Sequence, residues 1–511
     1  MKNKFARNLG ILGIIGILIK IIGALYRVPL AVFMTEDAVA YYSLAYPWYN
    51  MLIVLSSAAI PAVIAKLTAE AVANDDISSG LDVLSVAKML MNFFGLFTAL
   101  FLIGFAKIIS GALGFPESTY SFYVLGVASY FVAINASYRG FFQGEQRLQI
   151  YGVSQLIEQI GRVTFGLALV VIFAGLSLGD SMLAAAGTSG AAFGALSSWA
   201  YVVVKFRKFH PGGKHKVKDV RAVMKKIGKL VLPLAMGASI MPLLSMIDGV
   251  LVIWRLGQIG YAAESAIMYS FVSFYSAPII NLSQVVFSAL QVSLLPMVTK
   301  SFTRRSPELS HQIQFGILLS VLLGLPMGLG IAAFSEQILL FLYPSKVDIA
   351  MGAASVLSIL GLSIVFLSLY LATTSILQGL NEYKRPVRHL LIGAIVKVIA
   401  AYVLIGTPSI NINGAAISTL LAYAVAAVLN LWRVYSIQPP DYQTMKKIGL
   451  TLLSNALMII SATSLFGRLE GTLPMRLNLL VSIFAAVLVY VVSIYLFKVI
   501  IKQDFENLGQ S

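Results

Sequence analysis

The chain contains no cysteine and few charged residues, and both shortages narrow what it can be. Without cysteine, a disulfide scaffold, thiolate catalysis and a cysteine-ligated metal are excluded. Charged residues make up 11% of the 511 residues, whereas soluble domains carry about 25%. Hydrophobic residues reach 59% and the mean hydropathy is +0.87. The bilayer is therefore expected to be the main solvent of this chain.

Metal-binding and nucleotide-binding patterns are also missing from the sequence. The glycines at 187, 190 and 194 are typical of close helix packing, and they lack the lysine and Ser/Thr of a Walker motif. The outer loops are short and nearly free of carboxylates and histidines, so a glycosyltransferase or polymer ligase is not expected. We therefore expect no metal, no cofactor and no enzymatic activity. The four histidines are scattered in or beside basic loops: His210, His215, His311 and His389.

The apolar residues fall in blocks of roughly 20 to 30, long enough to cross a hydrocarbon core of about 30 Å. We predict an all-α polytopic membrane protein with about fourteen transmembrane helices. The first block has no signal-peptide cleavage site and is interpreted as a retained span. The expected spans are 8–34, 43–65, 84–109, 120–142, 150–176, 182–204, 230–254, 267–299, 312–334, 350–379, 387–406, 412–434, 447–466 and 476–500.

Positive charge is distributed unequally between the two sides of these spans. If the N-terminus is cytoplasmic, the inner segments hold 27 Lys/Arg and the outer loops hold four. The positive-inside rule then predicts a cell-membrane protein with both termini in the cytoplasm. The net charge of +16 follows from this bias and from attraction to anionic lipid. Membrane lipid, and not nucleic acid, is the expected partner.

Two short matches at one offset indicate an internal duplication. The run Ala59–Val63 resembles Leu294–Val298, and Phe141–Glu145 resembles Ile376–Leu380, each at a distance of 235 residues. We predict two pseudo-symmetric six-helix lobes followed by two C-terminal helices. The expected divisions are a first lobe at 1–204, a basic cytoplasmic linker at 205–229, a second lobe at 230–434, and two further helices with a short tail at 435–511.

Cations within the predicted spans are the main candidates for a binding site, because a buried cation usually faces a bundle interior or a wet cavity. Lys20 is expected near mid-bilayer, and Arg27 follows seven residues later on nearly the same helix face. Together they could form a ladder for a phosphate-bearing headgroup. The alternative is that each pairs with a structural acid, or that Arg27 snorkels outward. Lys397 is also expected near the membrane centre, with no acid in its own span.

Span five carries an acid and a base at helical spacing. Glu158 and Arg162 are four residues apart, so they can neutralise each other along the helix. We expect an internally satisfied buried pair that positions this span and that could open during transport.

Span eight is longer than a bilayer requires and contains two prolines, Pro278 and Pro296. Proline bends a helix, and the amides Asn281, Gln284 and Gln291 near the bend could line a hydrated, gated path. A structural kink packed against neighbouring helices is an equal alternative.

Three runs of this sequence resemble the stage V sporulation protein B family of polysaccharide-biosynthesis membrane proteins. They are Ile21–Pro29, Ala59–Glu70, and the residues Ser154, Gln155, Glu158, Gln159 and Arg162. That family is grouped with lipid II flippases and, more distantly, with multidrug and toxin extrusion transporters. The resemblance implies a V-shaped, two-lobed bundle whose central cationic cavity opens alternately inward and outward.

The resemblance also implies roles for particular positions. First-span cations of the flippases contact a diphosphate headgroup, and their last two spans form a groove for the lipid tail. Lys20 matches one such cation, while Arg27 falls one position off a second, where this chain has Tyr26. The arginines that the flippases carry in spans two and eight are missing from those apolar cores here.

We therefore expect a flippase that moves a polyprenyl-diphosphate-linked saccharide, lipid II or a related cell-envelope precursor, from the cytoplasmic to the outer leaflet. The alternative is a cation-coupled multidrug antiporter, which would need an unneutralised acid within the membrane. Cell-wall synthesis proteins are candidate partners. The expected substrate-binding residues are Lys20, Arg27, Arg162 and Lys397. The expected cavity or gating residues are Glu158, Asn281, Gln284 and Gln291.

Overall fold

The computed structural model describes residues 15–211, 215 and 217–500, which are helical apart from short connections and contain no β-strand. This confirms the predicted all-α class. We number the helices in chain order as α1 (Ile15–Phe33), α2 (Glu36–Val54), α3 (Ile60–Ala73), α4 (Ile77–Ala112), α5 (Thr119–Gly144), α6 (Leu148–Gly175), α7 (Asp180–Phe209), α8 (Val220–Gln258), α9 (Ser265–Ser270), α10 (Ala277–Thr303), α11 (Glu308–Ala333), α12 (Ser335–Leu342), α13 (Val347–Gly379), α14 (Lys384–Ile405), α15 (Asn413–Ile437), α16 (Tyr442–Leu469) and α17 (Met475–Leu496).

Within the described chain, twelve helical stretches are long and apolar enough to cross a membrane. They coincide with twelve of the fourteen predicted spans. The other two predicted spans, 43–65 and 182–204, are helical but are not among the twelve. Small and hydroxyl residues dilute the apolar character of α7, and tyrosines, serine and proline do so in α2. The count of fourteen therefore stays a prediction.

Prolines account for two irregular turns within long helical stretches. The π-helical turn Leu55–Ala59 joins α2 to α3 and precedes Pro61. A second π-helical turn, Phe271–Ser276, joins α9 to α10 and precedes Pro278. Proline has no N–H to offer the carbonyl four residues before it, so the turn on its N-terminal side rearranges. The predicted irregularity of span eight is thus present at Pro278.

Packing divides the chain into two compact units. Unit 1 runs from the N-terminal helix to Trp254 and also includes Ala262–Ser270, and unit 2 contains Arg255–Tyr261 and the chain from Phe271 onward. The N-terminal part of α8 belongs to unit 1 because Ile227 is buried in its core. The division lies within α8, outside the linker expected at 205–229, so the predicted lobe boundaries stay a prediction.

Helices α5 and α13 end in the same turn, which agrees with the predicted duplication. Their last residues, Gly144 and Gly379, are 235 residues apart. Two residues later, Gln146 and Asn381 adopt left-handed φ angles of 58° and 64°. The same three backbone hydrogen bonds close both turns, at distances between 2.8 and 3.0 Å. A turn repeated at this level of detail is expected when both halves descend from one sequence.

Candidate functional site

Unit 1 contains a cavity of about 430 Å³ whose walls come mainly from α1, α2, α5 and α6. Known small-molecule sites occupy about 300–1,000 Å³. Its charged lining residues are Lys20 of α1, Arg139 of α5, and Glu158 and Arg162 of α6. The structure therefore brings together three of the residues that the sequence singled out, and adds Arg139.

Glu158 is held between two arginines. The Arg139 Nη2 donates to Glu158 Oε2 at 2.7 Å, and the Arg162 Nη2 donates to Glu158 Oε1 at 3.3 Å. The side chains of Arg139 and Glu158 are only 12% and 15% exposed, and that of Arg162 is 25% exposed. The predicted pairing along α6 is thus confirmed. The second arginine leaves this cluster with one net positive charge.

Arg139 also ties α5 to both α6 and α7. Its Nε donates to Ser154 Oγ at 3.0 Å, and its Nη2 lies 3.2 Å from the Ser154 carbonyl oxygen. The same Nη2 donates to Ser198 Oγ of α7 at 2.8 Å. Charge-assisted hydrogen bonds of this kind are among the stronger ones, so Arg139 fixes the position of Glu158. The sequence carried one signal for it, an arginine inside the predicted span 120–142.

Glycines bring α7 against the backbone of the two charged residues of α6. A Cβ atom on Gly194 would collide with the Glu158 carbonyl oxygen, and one on Gly190 would collide with the Arg162 carbonyl oxygen. The close packing predicted for these two glycines is confirmed, whereas Gly187 faces Tyr42 of α2. Helix α7 therefore forms a backing that holds α6 in place behind the cavity.

Lys20 and Arg27 are separated by a break in α1. The helix is interrupted by a turn at Tyr26, because Pro29 has no N–H for the Leu25 carbonyl. Lys20 is exposed, lines the cavity, and has no hydrogen bond or ion pair with any described residue. Arg27 is half-buried and is not among the cavity residues. The predicted ladder of two cations stays a prediction.

The remaining sequence-predicted residues lie in unit 2. Lys397 is buried on α14, with 9% of its surface exposed. On α10, Asn281 is exposed, and Gln284 and Gln291 are half-buried. Their roles in substrate binding and gating stay predictions.

Unit 2 also contains an apolar cavity of about 440 Å³ between α11, α12, α16 and α17. Phe334, Ile338, Ile483 and Val487 contribute to its wall, and Tyr490 is among the few residues there with a polar group. The Tyr490 hydroxyl is bonded to a backbone carbonyl at 2.7 Å. The cavity therefore offers an apolar surface and suits a hydrocarbon.

Comparisons with known proteins identify relatives over nearly the whole chain. Stage V sporulation protein B of Bacillus subtilis (strain 168) is 24% identical, over 99% of this chain and 98% of its own length. Lipid II flippase MurJ of the same organism is also 24% identical, over 90% of this chain and 88% of its own. A solved structure of lipid II flippase MurJ in an inward closed conformation aligns with a TM-score of 0.71 at 15% identity, covering 95% of this chain and 98% of that one. The fold is therefore MurJ-like.

Family models match two overlapping parts of the sequence. The model described as MatE matches residues 233–403. The model described as polysaccharide biosynthesis protein matches residues 5–302, which is more than half of the chain. With its twelve apolar helices, this chain is a multi-pass membrane protein that belongs to the polysaccharide biosynthesis protein family.

Proposed function

We propose that this protein is a flippase that moves a polyprenyl-diphosphate-linked saccharide from the cytoplasmic to the outer leaflet by alternating access. The observation that carries the proposal is the charged cavity of unit 1. Lys20, Arg139 and Arg162 against Glu158 leave a net charge of +2 on its wall. A diphosphate diester carries one negative charge on each phosphate, so it would balance this excess.

Energetic cost supports the same interpretation. A cation within a membrane-spanning segment costs several kcal/mol unless it is paired or hydrated. Lys20 has no ion-pair partner in the described part of the chain, although Glu158 lines the same cavity. Both carboxylate oxygens of Glu158 are already engaged by arginines. An anionic cargo would supply the missing counter-charge.

The expected topology gives transport a direction. With 27 Lys/Arg on one side and four on the other, we place both termini in the cytoplasm. An inside-negative membrane potential then favours outward movement of negative charge by about 2.3 kcal/mol per charge per 100 mV. No nucleotide is needed for such a step.

The apolar cavity between α11, α12, α16 and α17 would accommodate part of the polyprenyl chain while the headgroup occupies unit 1. A relative named as a lipid II flippase supports this class of cargo. We propose lipid II or a related cell-envelope precursor as the substrate.

The rival function is a cation-coupled multidrug antiporter, which the MatE match keeps in view. Coupling requires an intramembrane acid that is free to exchange a proton or sodium ion. The acid in the unit 1 cavity is Glu158, and two arginines hold it. The flippase is therefore favoured over the antiporter.

The deciding experiment depletes the protein and identifies the lipid-linked intermediate that accumulates on the cytoplasmic leaflet. Accumulation of one diphosphate-linked saccharide, reversed by the wild-type protein and not by Arg162→Gln, is the expected result. Increased drug sensitivity without any accumulated lipid would assign the antiporter function instead. Reconstitution in proteoliposomes with labelled lipid II then measures translocation directly.

A further inference from the structure

Three polar atoms in residues that line the cavity are buried without a hydrogen-bond partner in the described structure. They are the Tyr49 hydroxyl, the Ser56 Oγ and the Arg162 Nε. Tyr49 and Ser56 are each 1% exposed. A buried polar group without a partner costs free energy, and native proteins contain few of them. Three in residues of one cavity wall indicate that something other than this chain satisfies them.

We infer that Tyr49, Ser56 and the Arg162 Nε form a subsite for the saccharide of the cargo, next to the diphosphate. This inference rests on the proposed flippase function. Hydroxyls both donate and accept hydrogen bonds, as sugar hydroxyls do, whereas Lys20 only donates and carries a full charge. The neutral groups on α2 and the π-helical turn therefore suit sugar oxygens, and Lys20 suits phosphate.

The ring of Tyr49 is fixed before any ligand arrives. It packs edge-on against Tyr46, with 5.9 Å between ring centroids and an interplanar angle of 83°. Little side-chain entropy would be lost on binding, because the ring is already held. Ser56 lies in the π-helical turn Leu55–Ala59, which precedes Pro61. Widening of the cavity during transport would open these closed-off groups to the cargo.

The chain offers matched controls for both hydroxyls. Tyr46 Oη and Ser137 Oγ are likewise buried without partners in the described structure, but neither residue lines the cavity. Tyr46→Phe and Ser137→Ala therefore remove the same chemical groups outside the proposed subsite.

The test measures binding of two lipids, lipid II and undecaprenyl diphosphate, to the full-length protein in nanodiscs. The wild type is expected to bind lipid II more tightly than the sugar-free lipid. Tyr49→Phe and Ser56→Ala are each expected to weaken lipid II binding by about 2- to 10-fold, the range for one neutral hydrogen bond, and to leave undecaprenyl diphosphate binding unchanged. Tyr46→Phe and Ser137→Ala should change neither.

Other outcomes are separable. Equal weakening for both lipids would place Tyr49 and Ser56 against phosphate, and no weakening would remove them from the site; either result overturns the inference. A wild type that binds the sugar-free lipid at least as tightly as lipid II overturns it while leaving diphosphate recognition intact. Binding of neither lipid defeats the flippase proposal and the subsite together. Without ligand, Tyr49→Phe should unfold at the same or a higher temperature than the wild type, and a lower temperature would assign the hydroxyl a structural role.

Discussion

Arg139 and Glu158, which lie on different helices 19 residues apart, are joined by a 2.7 Å hydrogen bond beside the cavity of unit 1. Arg139 reaches α6 and α7 through the same guanidinium, so one side chain holds three helices in register. The charged surface that would receive the cargo therefore depends on a residue whose polar contacts are largely used inside the protein.

Loss of this guanidinium should destabilise the protein. Arg139→Met is expected to lower the free energy of unfolding by about 3 kcal/mol, because Glu158 would remain buried with one more distant partner. Adding Glu158→Gln should recover much of this loss. Thermal unfolding in detergent, analysed as a double-mutant cycle, measures both effects. The control is Arg147→Met, which breaks a pair with Glu145 in which the arginine is 38% exposed and should cost about 1 kcal/mol or less. Equal losses at the two arginines would contradict the prediction.

Lys20→Gln should reduce transport without reducing stability. Lys20 has no partner in the described chain, so its charge is available to the cargo, and a hydrogen bond to a charged group is worth about 1.5–3 kcal/mol, or roughly 10- to 100-fold in apparent affinity. Translocation of labelled lipid II in proteoliposomes measures the effect. Lys107→Gln, at an exposed position on α4 outside the cavity, is the control. Full transport by Lys20→Gln would remove Lys20 from the site.

Gly194→Ala tests whether α7 supports α6. The added methyl would meet the Glu158 carbonyl oxygen, so α6 must shift, and such overpacking typically costs about 1–3 kcal/mol. Both melting temperature and transport should fall. Gly175→Ala is the comparison, since a Cβ atom there would meet nothing within 4 Å. A variant at Gly194 that behaves like the one at Gly175 would show that the two helices can separate freely.

The Glu382–Arg433 pair should make stability depend on pH. Arg433 Nε donates to Glu382 Oε2 at 2.8 Å, and its Nη2 donates to Oε1. These hydrogen bonds hold the pKa of the Glu382 carboxyl below its usual range. Its contribution is therefore fully present above the unfolded-state pKa of about 4.3 and is lost as the pH falls through the lower folded-state value.

Glu382→Gln should accordingly reduce stability near neutral pH by about 1 kcal/mol and have little effect at the acid end. Melting temperature measured from pH 7 downward shows the difference. Glu264→Gln, at an exposed carboxylate, should leave the profile unchanged. A Glu382→Gln deficit that persists unchanged at low pH would contradict the charge-based explanation.

The helical class and the Glu158–Arg162 pair were predictable because both depend on local patterns, apolar block length and spacing along one helix. Arg139 was not singled out because its pairing with Glu158 depends on how α5 packs against α6. The expectation that Lys20 and Arg27 share a face assumed an uninterrupted helix. Pro29 breaks that assumption at Tyr26, and the proline was visible in the sequence. The hydroxyls of Tyr49 and Ser56 had no sequence signal, because burial without a partner is a property of the packed structure.

The matching turns after Gly144 and Gly379 allow positions in the two halves to be compared one by one. Counting the same 235 residues from Arg162 reaches Lys397, and counting from Glu158 reaches Gly393. The descendants of the duplication have thus diverged electrostatically: both retain a basic residue at the matching place, while the carboxylate one helical turn before it survives in the first copy and is a glycine in the second.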